Sequence, residues 1–316
     1  MRALACLQKF SVRGIIANME RDFSSKISFF DPTACRLCPV ECGANRLTGA
    51  GGCGVSEIKI AKYYLHPFEE PCISFKKGSG TIFFTGCSLR CVFCQNYELS
   101  RAKRGKTLTP QELADVFKEL EEMGAENISL VTAGHLIPYL LPAFDIYQPK
   151  IPVVYNSSGY EKIEAIRAIA DVVDIYLPDM KFYSSALSKR YTGRENYFDV
   201  ASETVAFMAQ KPLNMTKEGK MLSGTIVRHL VMPMATSDSR AIIKWFAREL
   251  PKTTYLSLMS QYTPFGETQK YPELNRGVTA REYAAVLETA KELGIENLFV
   301  QELQSKGEKF IPKWDF

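Results

Sequence analysis

Eleven residues, Gly86-Cys87-Ser88-Leu89-Arg90-Cys91-Val92-Phe93-Cys94-Gln95-Asn96, carry three thiols in the spacing C-x3-C-x2-C. Thiolates are soft ligands suited to zinc and to iron–sulfur clusters. Three within eight residues can wrap one small cluster. A four-iron cubane normally takes four thiolates, so three leave one iron open. An open metal position can take a substrate or cofactor directly, which separates a reactive site from a closed one. The competing reading is a structural zinc whose fourth ligand comes from elsewhere in the chain.

A second set lies upstream. Cys35-x2-Cys38-x3-Cys42-x10-Cys53 supplies four thiols, with Gly43, Gly49, Gly51, Gly52 and Gly54 between or beside them. Four thiolates complete tetrahedral zinc or a closed iron–sulfur cluster, and glycines permit tight loops around an ion. The expectation is a second, structural metal, either zinc or a second iron–sulfur cluster, with reduced free thiols as the alternative. Cys6 and Cys72 stand alone and default to free or buried thiols. The nine cysteines are odd in number and mostly clustered, in a chain long enough to build its own core. A disulfide scaffold is therefore a poor reading.

The chain has 316 residues, 46% apolar and 23% charged, with a net charge of +4. That charge makes no case for nucleic acid, and no apolar run approaches the ~18 residues of a membrane span. The basic first 19 residues have apolar stretches too short and interrupted for a secretory signal, so a cytoplasmic location is expected.

The reactive loop must be held by regular elements, and these begin near residue 81. Short β-rich runs at 81–85, 127–132, 152–155, 173–177, 225–231, 254–259 and 298–300 alternate with helix-like stretches at 109–123, 160–170, 186–210, 239–249 and 279–293. Strand alternating with helix means parallel pairing with crossover helices. Thr109-Pro110-Gln111-Glu112 and Thr279-Ala280-Arg281-Glu282 are helix starts, and Gly124 and Gly294 helix ends. About six units predict an α/β fold, a partial (β/α)6 TIM-like barrel. The cysteine loop then follows its first strand, on the face where such barrels place their active sites. Residues 31–80, rich in Gly, Pro and Cys, predict a loop-dominated N-terminal metal-binding module. The stretch 182–224 predicts one long helix and a polar loop at 213–220.

The C-x3-C-x-aromatic-C signature resembles that of the radical S-adenosylmethionine (radical SAM) superfamily, and the likeness runs over about residues 31–303. Phe84-Thr85-Gly86 and Cys94-Gln95-Asn96 are similar to the flanks in glycyl-radical activating enzymes, and the chain is most like proteins resembling the pyruvate formate-lyase activating enzyme. The resemblance implies that Cys87, Cys91 and Cys94 ligate a [4Fe-4S] cluster whose open iron holds the methionine end of S-adenosylmethionine. One-electron cleavage would then give a 5′-deoxyadenosyl radical that abstracts hydrogen. Phe93 would pack beside the adenosine. Asp179 and Lys181, in Tyr176-Leu177-Pro178-Asp179-Met180-Lys181, resemble a segment that helps to hold S-adenosylmethionine and substrate; two apart on a strand, they share one face. Arg228, in Val227-Arg228-His229, resembles an arginine on the methionine carboxylate, and Asn156, in Asn156-Ser157-Ser158-Gly159, a turn near the ribose.

Three places depart from the family pattern. Thr132-Ala133-Gly134-His135 stands where relatives carry Gly-Gly-Glu, and Tyr262 of Ser260-Gln261-Tyr262 replaces a histidine. The third is the N-terminal cysteine module. The expected organisation is an extension at 1–30, a cysteine module and strap at 31–80, a radical SAM barrel at 81–303 and a tail at 304–316. His66 falls in the strap as a candidate ligand, and the basic run 101–106 is either a solvated face or a contact for an acidic partner. The implied partners are a glycyl-radical enzyme as protein substrate and a flavodoxin- or ferredoxin-type electron donor, with the chain itself a monomer. The competing functions are the same radical chemistry on a small molecule or another peptide, and a non-catalytic iron–sulfur or zinc electron-transfer or scaffold protein.

Overall fold

The computed structural model describes residues 26–102 and 104–301. Cys6 and the tail at 304–316 lie outside the described residues, as does most of the extension at 1–30.

Seven parallel strands form the frame: β2 (Ser79–Phe84), β4 (Ile128–Val131), β5 (Val153–Ser157), β6 (Ile175–Pro178), β8 (Met221–Leu230), β9 (Tyr255–Met259) and β10 (Leu298–Val300). The sheet order is β10-β9-β8-β6-β5-β4-β2, continued past β2 by two antiparallel strands, β1 (Lys59–His66) and then β3 (Lys106–Thr107), and among the described residues its two ends do not pair. The result is the expected partial barrel, six strand–helix units followed by β10. Every residue of β2, β4, β5 and β6 is buried, as parallel strands covered on both faces must be. One face packs Ile82, Leu130, Tyr155 and Tyr176 against the outer helices. The other packs Val154, Ile175, Leu177 and Ile226 inside the barrel.

The crossover helices follow their local signals. Helix α3 (Pro110–Glu122) and helix α9 (Ala280–Glu292) each start with a complete capping box, Thr109/Glu112 and Thr279/Glu282. Gly124 and Gly294 take φ of 84° and 66° just past their ends, the left-handed turn that glycine adopts without penalty.

The long helix expected over 186–210 is broken. Helix α6 (Ser185–Thr192) stops at Gly193, which is left-handed, and helix α7 (Tyr197–Met208) restarts after it. The polar loop at 213–220 contains a short strand, β7 (Asn214–Met215), antiparallel to β8. Helix α4 (Ile137–Ile146) went unpredicted: prolines at 138 and 142 and an almost uniformly apolar, buried sequence hide its period. Between β5 and β6 runs helix α5 (Ile163–Ile169), and between β8 and β9 helix α8 (Thr236–Glu249).

The segment read as loop and strap is more ordered than expected. Strand β1 (Lys59–His66) pairs antiparallel with β2, and β3 (Lys106–Thr107) pairs antiparallel with the start of β1. After β1 the chain turns into a one-turn helix, α1 (Pro71–Ser74), whose Cys72 and Ile73 pack on Val154, Ile175, Leu177 and Ile226. Helix α1 thus closes the barrel interior from one end, and the isolated thiol of Cys72 is a buried part of that plug.

Candidate active site

The chain leaves β2 at Phe84 and turns at Gly86, whose φ is 92°. A side chain there would meet the Cys53 carbonyl and the His135 ring, each at 2.9 Å. Leu89, fully buried, anchors the middle of the loop, and Arg90 takes a φ of 54°. Helix α2 (Tyr97–Ser100) follows, with Leu99 and Ser100 buried. Cys87, Cys91 and Cys94 all line one cavity of about 240 Å³ inside the barrel. Burial pushes the Cys91 and Cys94 thiols up, Cys94 to about 11, so metal binding at neutral pH must release their protons.

The opposite wall comes from strand ends. Asn156, Asp179 and Arg228 continue the inward face that Val154, Leu177 and Ile226 occupy lower down. They form one charged network. Arg228 donates from Nε to Asp179 Oδ1 at 2.9 Å and from Nη2 to Asn156 Oδ1 at 2.7 Å. Lys181 Nζ donates to Asp179 Oδ2 at 2.6 Å. Two neighbouring cations hold the Asp179 carboxyl below its ordinary value despite burial, and the same pairing raises Lys181 and Arg228. The Asp179/Lys181 pair is therefore no exposed surface bridge, since both side chains are under 20% exposed. Phe93 also lines the cavity, edge-on to Phe182 and Tyr191.

All eight residues expected around the cluster and cofactor, namely the three cysteines, Phe93, Asn156, Asp179, Lys181 and Arg228, line this one cavity. Tyr262 does not. Its ring packs on Phe93, its hydroxyl donates to the Leu274 carbonyl, and Gln261 faces the cavity instead. His135 is buried behind the wall, where its Nε2 lies 2.9 Å from the Thr85 carbonyl; burial holds it neutral, down at about 4. His66 lines the cavity and meets the Tyr64 hydroxyl at 3.2 Å. In the basic run, Arg101 donates to the Arg90 carbonyl and stacks on Tyr97, and Lys106 pairs with Glu112.

None of Cys35, Cys38, Cys42 and Cys53 reaches the cavity. Three of them are buried and Cys42 is exposed. Among the described residues no three or more Cys, His, Asp or Glu side chains are gathered as a metal site, in either cysteine set. What the module does show is a seat against the reactive loop: the Cys87 N–H donates to the Cys53 carbonyl at 3.3 Å. Arg46, 4% exposed, reaches from the module to the His135 carbonyl at 3.4 Å, to Cys35 Sγ at 3.8 Å and over the Tyr139 ring.

Several residues were not legible as part of the site. The buried Tyr197 hydroxyl accepts from the Lys181 N–H at 3.0 Å and faces the Ser158 and Asp179 carbonyls at 2.8 and 3.0 Å, tying two wall segments together. His229 donates from Nδ1 to the Met180 carbonyl at 2.6 Å. Glu161, buried and pushed up to about 7, accepts from Ser157 Oγ at 3.1 Å. Its carboxylate lies so close over Gly134 that a Cβ there would overlap it. Only the inward alternation of the strands offered a signal; Tyr197 arrives from a helix and Glu161 from a loop, and His229 on β8 is the neighbour of inward-facing Arg228 and so points the other way.

Comparison with known proteins gives the family. Residues 81–218 match the model of the Radical SAM superfamily. Over 275 residues the chain is 30% identical to an uncharacterized protein of Methanocaldococcus jannaschii, a match covering 84% of this chain and 76% of that one. The chain belongs to the radical SAM superfamily, whose members use a [4Fe-4S] cluster and S-adenosylmethionine in radical chemistry. Two solved structures are distant in sequence and shape. One is Streptococcus suis SuiB bound to precursor peptide SuiA, at 12% identity over 68% of this chain and 46% of that one, TM-score 0.45. The other is a domain of a pyruvate-formate lyase-activating enzyme from Bacteroides vulgatus, at 10% identity over 61% and 91%, TM-score 0.36. The chain thus spans under half the length of SuiB.

Among the described residues no helix is long and apolar enough to cross a membrane.

Proposed function

We propose that the chain is an activating enzyme that takes a hydrogen atom from a glycine of a partner glycyl-radical enzyme. The observation that carries the site assignment is the meeting of three thiols and the Asn156/Asp179/Lys181/Arg228 network across one cavity. The donor set fits: three thiols on one loop face a polar wall, and that wall offers no fourth cysteine. Cys87, Cys91 and Cys94 would hold the cluster. When bound, the cluster and S-adenosylmethionine supply a 5′-deoxyadenosyl radical, and the chemistry is theirs rather than the protein's. The chain's own part is to bind, orient and exclude water. Arg228 offers a guanidinium to the methionine carboxylate, Asn156 an amide near the ribose, and Phe93 an apolar edge for the adenosine. The likeness of the flanks Phe84-Thr85-Gly86 and Cys94-Gln95-Asn96 to those of activating enzymes supports a protein glycine as the substrate. Cys35, Cys38, Cys42 and Cys53 would hold a second metal, zinc or iron–sulfur, that fixes the module against the reactive loop.

The test is anaerobic reconstitution and dithionite reduction followed by addition of S-adenosylmethionine. Release of 5′-deoxyadenosine is expected, and its absence, or full iron content in the Cys87→Ala/Cys91→Ala/Cys94→Ala variant, refutes the site. Incubation with a glycyl-radical enzyme from the same organism should give a protein-centred radical by electron paramagnetic resonance. Cleavage of S-adenosylmethionine without that signal favours a small-molecule or other peptide substrate.

A further inference from the structure

Strand β1 has β2 beside it on one side, but on the other β3 pairs only with Lys59 and Ile60. Among the described residues, positions 61–66 therefore form a sheet edge. The register shows which backbone groups face it. The Gly80 N–H donates to the Asn127 carbonyl at 2.9 Å, on the β4 side of β2, and so turns away from β1. Opposite Gly80 stands Leu65, and opposite Ile82, two residues on, stands Tyr63. Antiparallel pairs of this kind exchange no hydrogen bonds with each other, and their N–H and C=O groups point outward. Tyr63 and Leu65 thus direct two donors and two carbonyls to the open side of β1, and none of the four has a partner among the described residues.

The side chains hold this edge in place against the barrel. On the outer face the Tyr63 hydroxyl donates to Glu119 of α3 at 2.7 Å, and Leu65 packs on the core beneath the outer helices. On the inner face Tyr64 stacks on Phe83 at 5.8 Å, and both Phe83 and His66 line the cavity. The edge is therefore continuous with the active site. We propose that it takes an extended backbone segment of the protein substrate as an added strand, which leads the residue to be modified past His66 into the cavity. A main chain in β conformation is the partner that matches donors and acceptors repeating at every second residue. An antiparallel segment satisfies all four groups with two of its residues, spaced two apart, and the residue between them lies beside Tyr64 on the cavity face. Both paired positions must carry an N–H, which excludes proline there. The inference rests on the reading of the substrate as a protein and specifies how that protein is held.

The test uses the full-length, cluster-reconstituted protein and, as probe, the whole glycyl-radical enzyme from the same organism. Hydrogen–deuterium exchange is read at single amides. In the free chain the Tyr63 and Leu65 amides should exchange as unpaired groups do, and with the partner at ten times its Kd both should slow about 10-fold. Leu65→Pro deletes one outward donor without touching the β1–β2 ladder, and should weaken partner binding about 3- to 10-fold. Leu65→Ala loses the same packing but keeps the N–H, and should stay within about two-fold of wild type. If the proline variant fails to fold, the exchange measurement on the wild type still decides. Partner binding that leaves both amides unprotected, or equal weakening by Leu65→Pro and Leu65→Ala, overturns the proposal. So does protection already present in the free chain, whether constant with concentration, as cover by its own residues gives, or rising with it, as a second copy gives. A wild type that neither binds the partner nor raises its radical signal overturns instead the protein-substrate reading beneath it.

Discussion

The hydroxyl of Tyr197 joins the two wall segments that end in Asn156 and Asp179, and Tyr197→Phe removes that one oxygen without changing the ring. The residue is fully buried, and its ring stacks on Tyr160 at 6.0 Å, so the phenyl ring should keep its place. Three backbone groups lose a partner: the Lys181 N–H, and the Ser158 and Asp179 carbonyls that share the hydroxyl's proton. The segments are pressed together here, since a Cβ on Gly159 would lie 2.5 Å from the Asp179 carbonyl and 3.4 Å from the Tyr197 hydroxyl. A replacement water has little room. An unmade hydrogen bond in a buried site costs ~1–3 kcal/mol, and with more than one group affected the expected loss of stability is about 2–4 kcal/mol. Urea unfolding followed by circular dichroism measures it. Because the orphaned groups flank Asp179 and Lys181, S-adenosylmethionine affinity should also fall, roughly 10-fold as for other groups that orient a binding residue. Tyr283→Phe is the control: its hydroxyl is buried too, donating to the Leu258 carbonyl and accepting from Gln301 N–H, but it lies outside the cavity wall. It should cost comparable stability and leave affinity unchanged. A Tyr197→Phe loss under about 0.5 kcal/mol, within the range of an unremarkable surface substitution, would refute the clamp. So would equal weakening of binding by both variants.

Two further outcomes follow from the same site. Burial raises the Glu161 carboxyl from 4.5 to about 7, so the folded chain binds its proton more tightly than the unfolded one. Its contribution to stability is complete below about pH 4.5 and is lost as pH rises through 7; Glu161→Gln should abolish that decline and stabilise the protein at pH 8 by about 3 kcal/mol relative to wild type, and an unchanged slope in unfolding curves over pH 4.5–8 would contradict it. Metal analysis of the full-length Cys35→Ser/Cys38→Ser variant should show less zinc or iron than wild type with the catalytic iron retained, and an unchanged total would exclude the second metal.

Much of the site was legible because its parts are local. Cys87, Cys91 and Cys94 share one loop, Asp179 and Lys181 one strand end, and each helix from α3 to α9 that carried a capping box or terminal glycine began and ended near those signals. The substitution of Gln261 for Tyr262 at the cavity shows how small a shift defeats alignment: neighbouring residues at a strand end face opposite ways. Strand β1 was missed for a different reason. Only one of its eight residues is buried and the rest are half-buried, so no clean alternation marks it, and its place depends on β2 being there to pair with.

The amino-acid sequence by itself determined the chemistry this protein can hold: a three-thiol loop behind the first parallel strand, and a βα alternation whose strand ends converge on it. Local spacing suffices for that, because loop geometry and strand period act over a few residues. Tertiary structure alone decided what the thiols face and what keeps the wall in place. Glu69 meets Asn156 across 87 positions, Arg228 meets Asn156 across 72, and Arg46 meets the His135 carbonyl across 89. Such pairs form only once the sheet has curled and α1 has closed one end of it, because a buried charge is tolerated only where folding has already brought its partner.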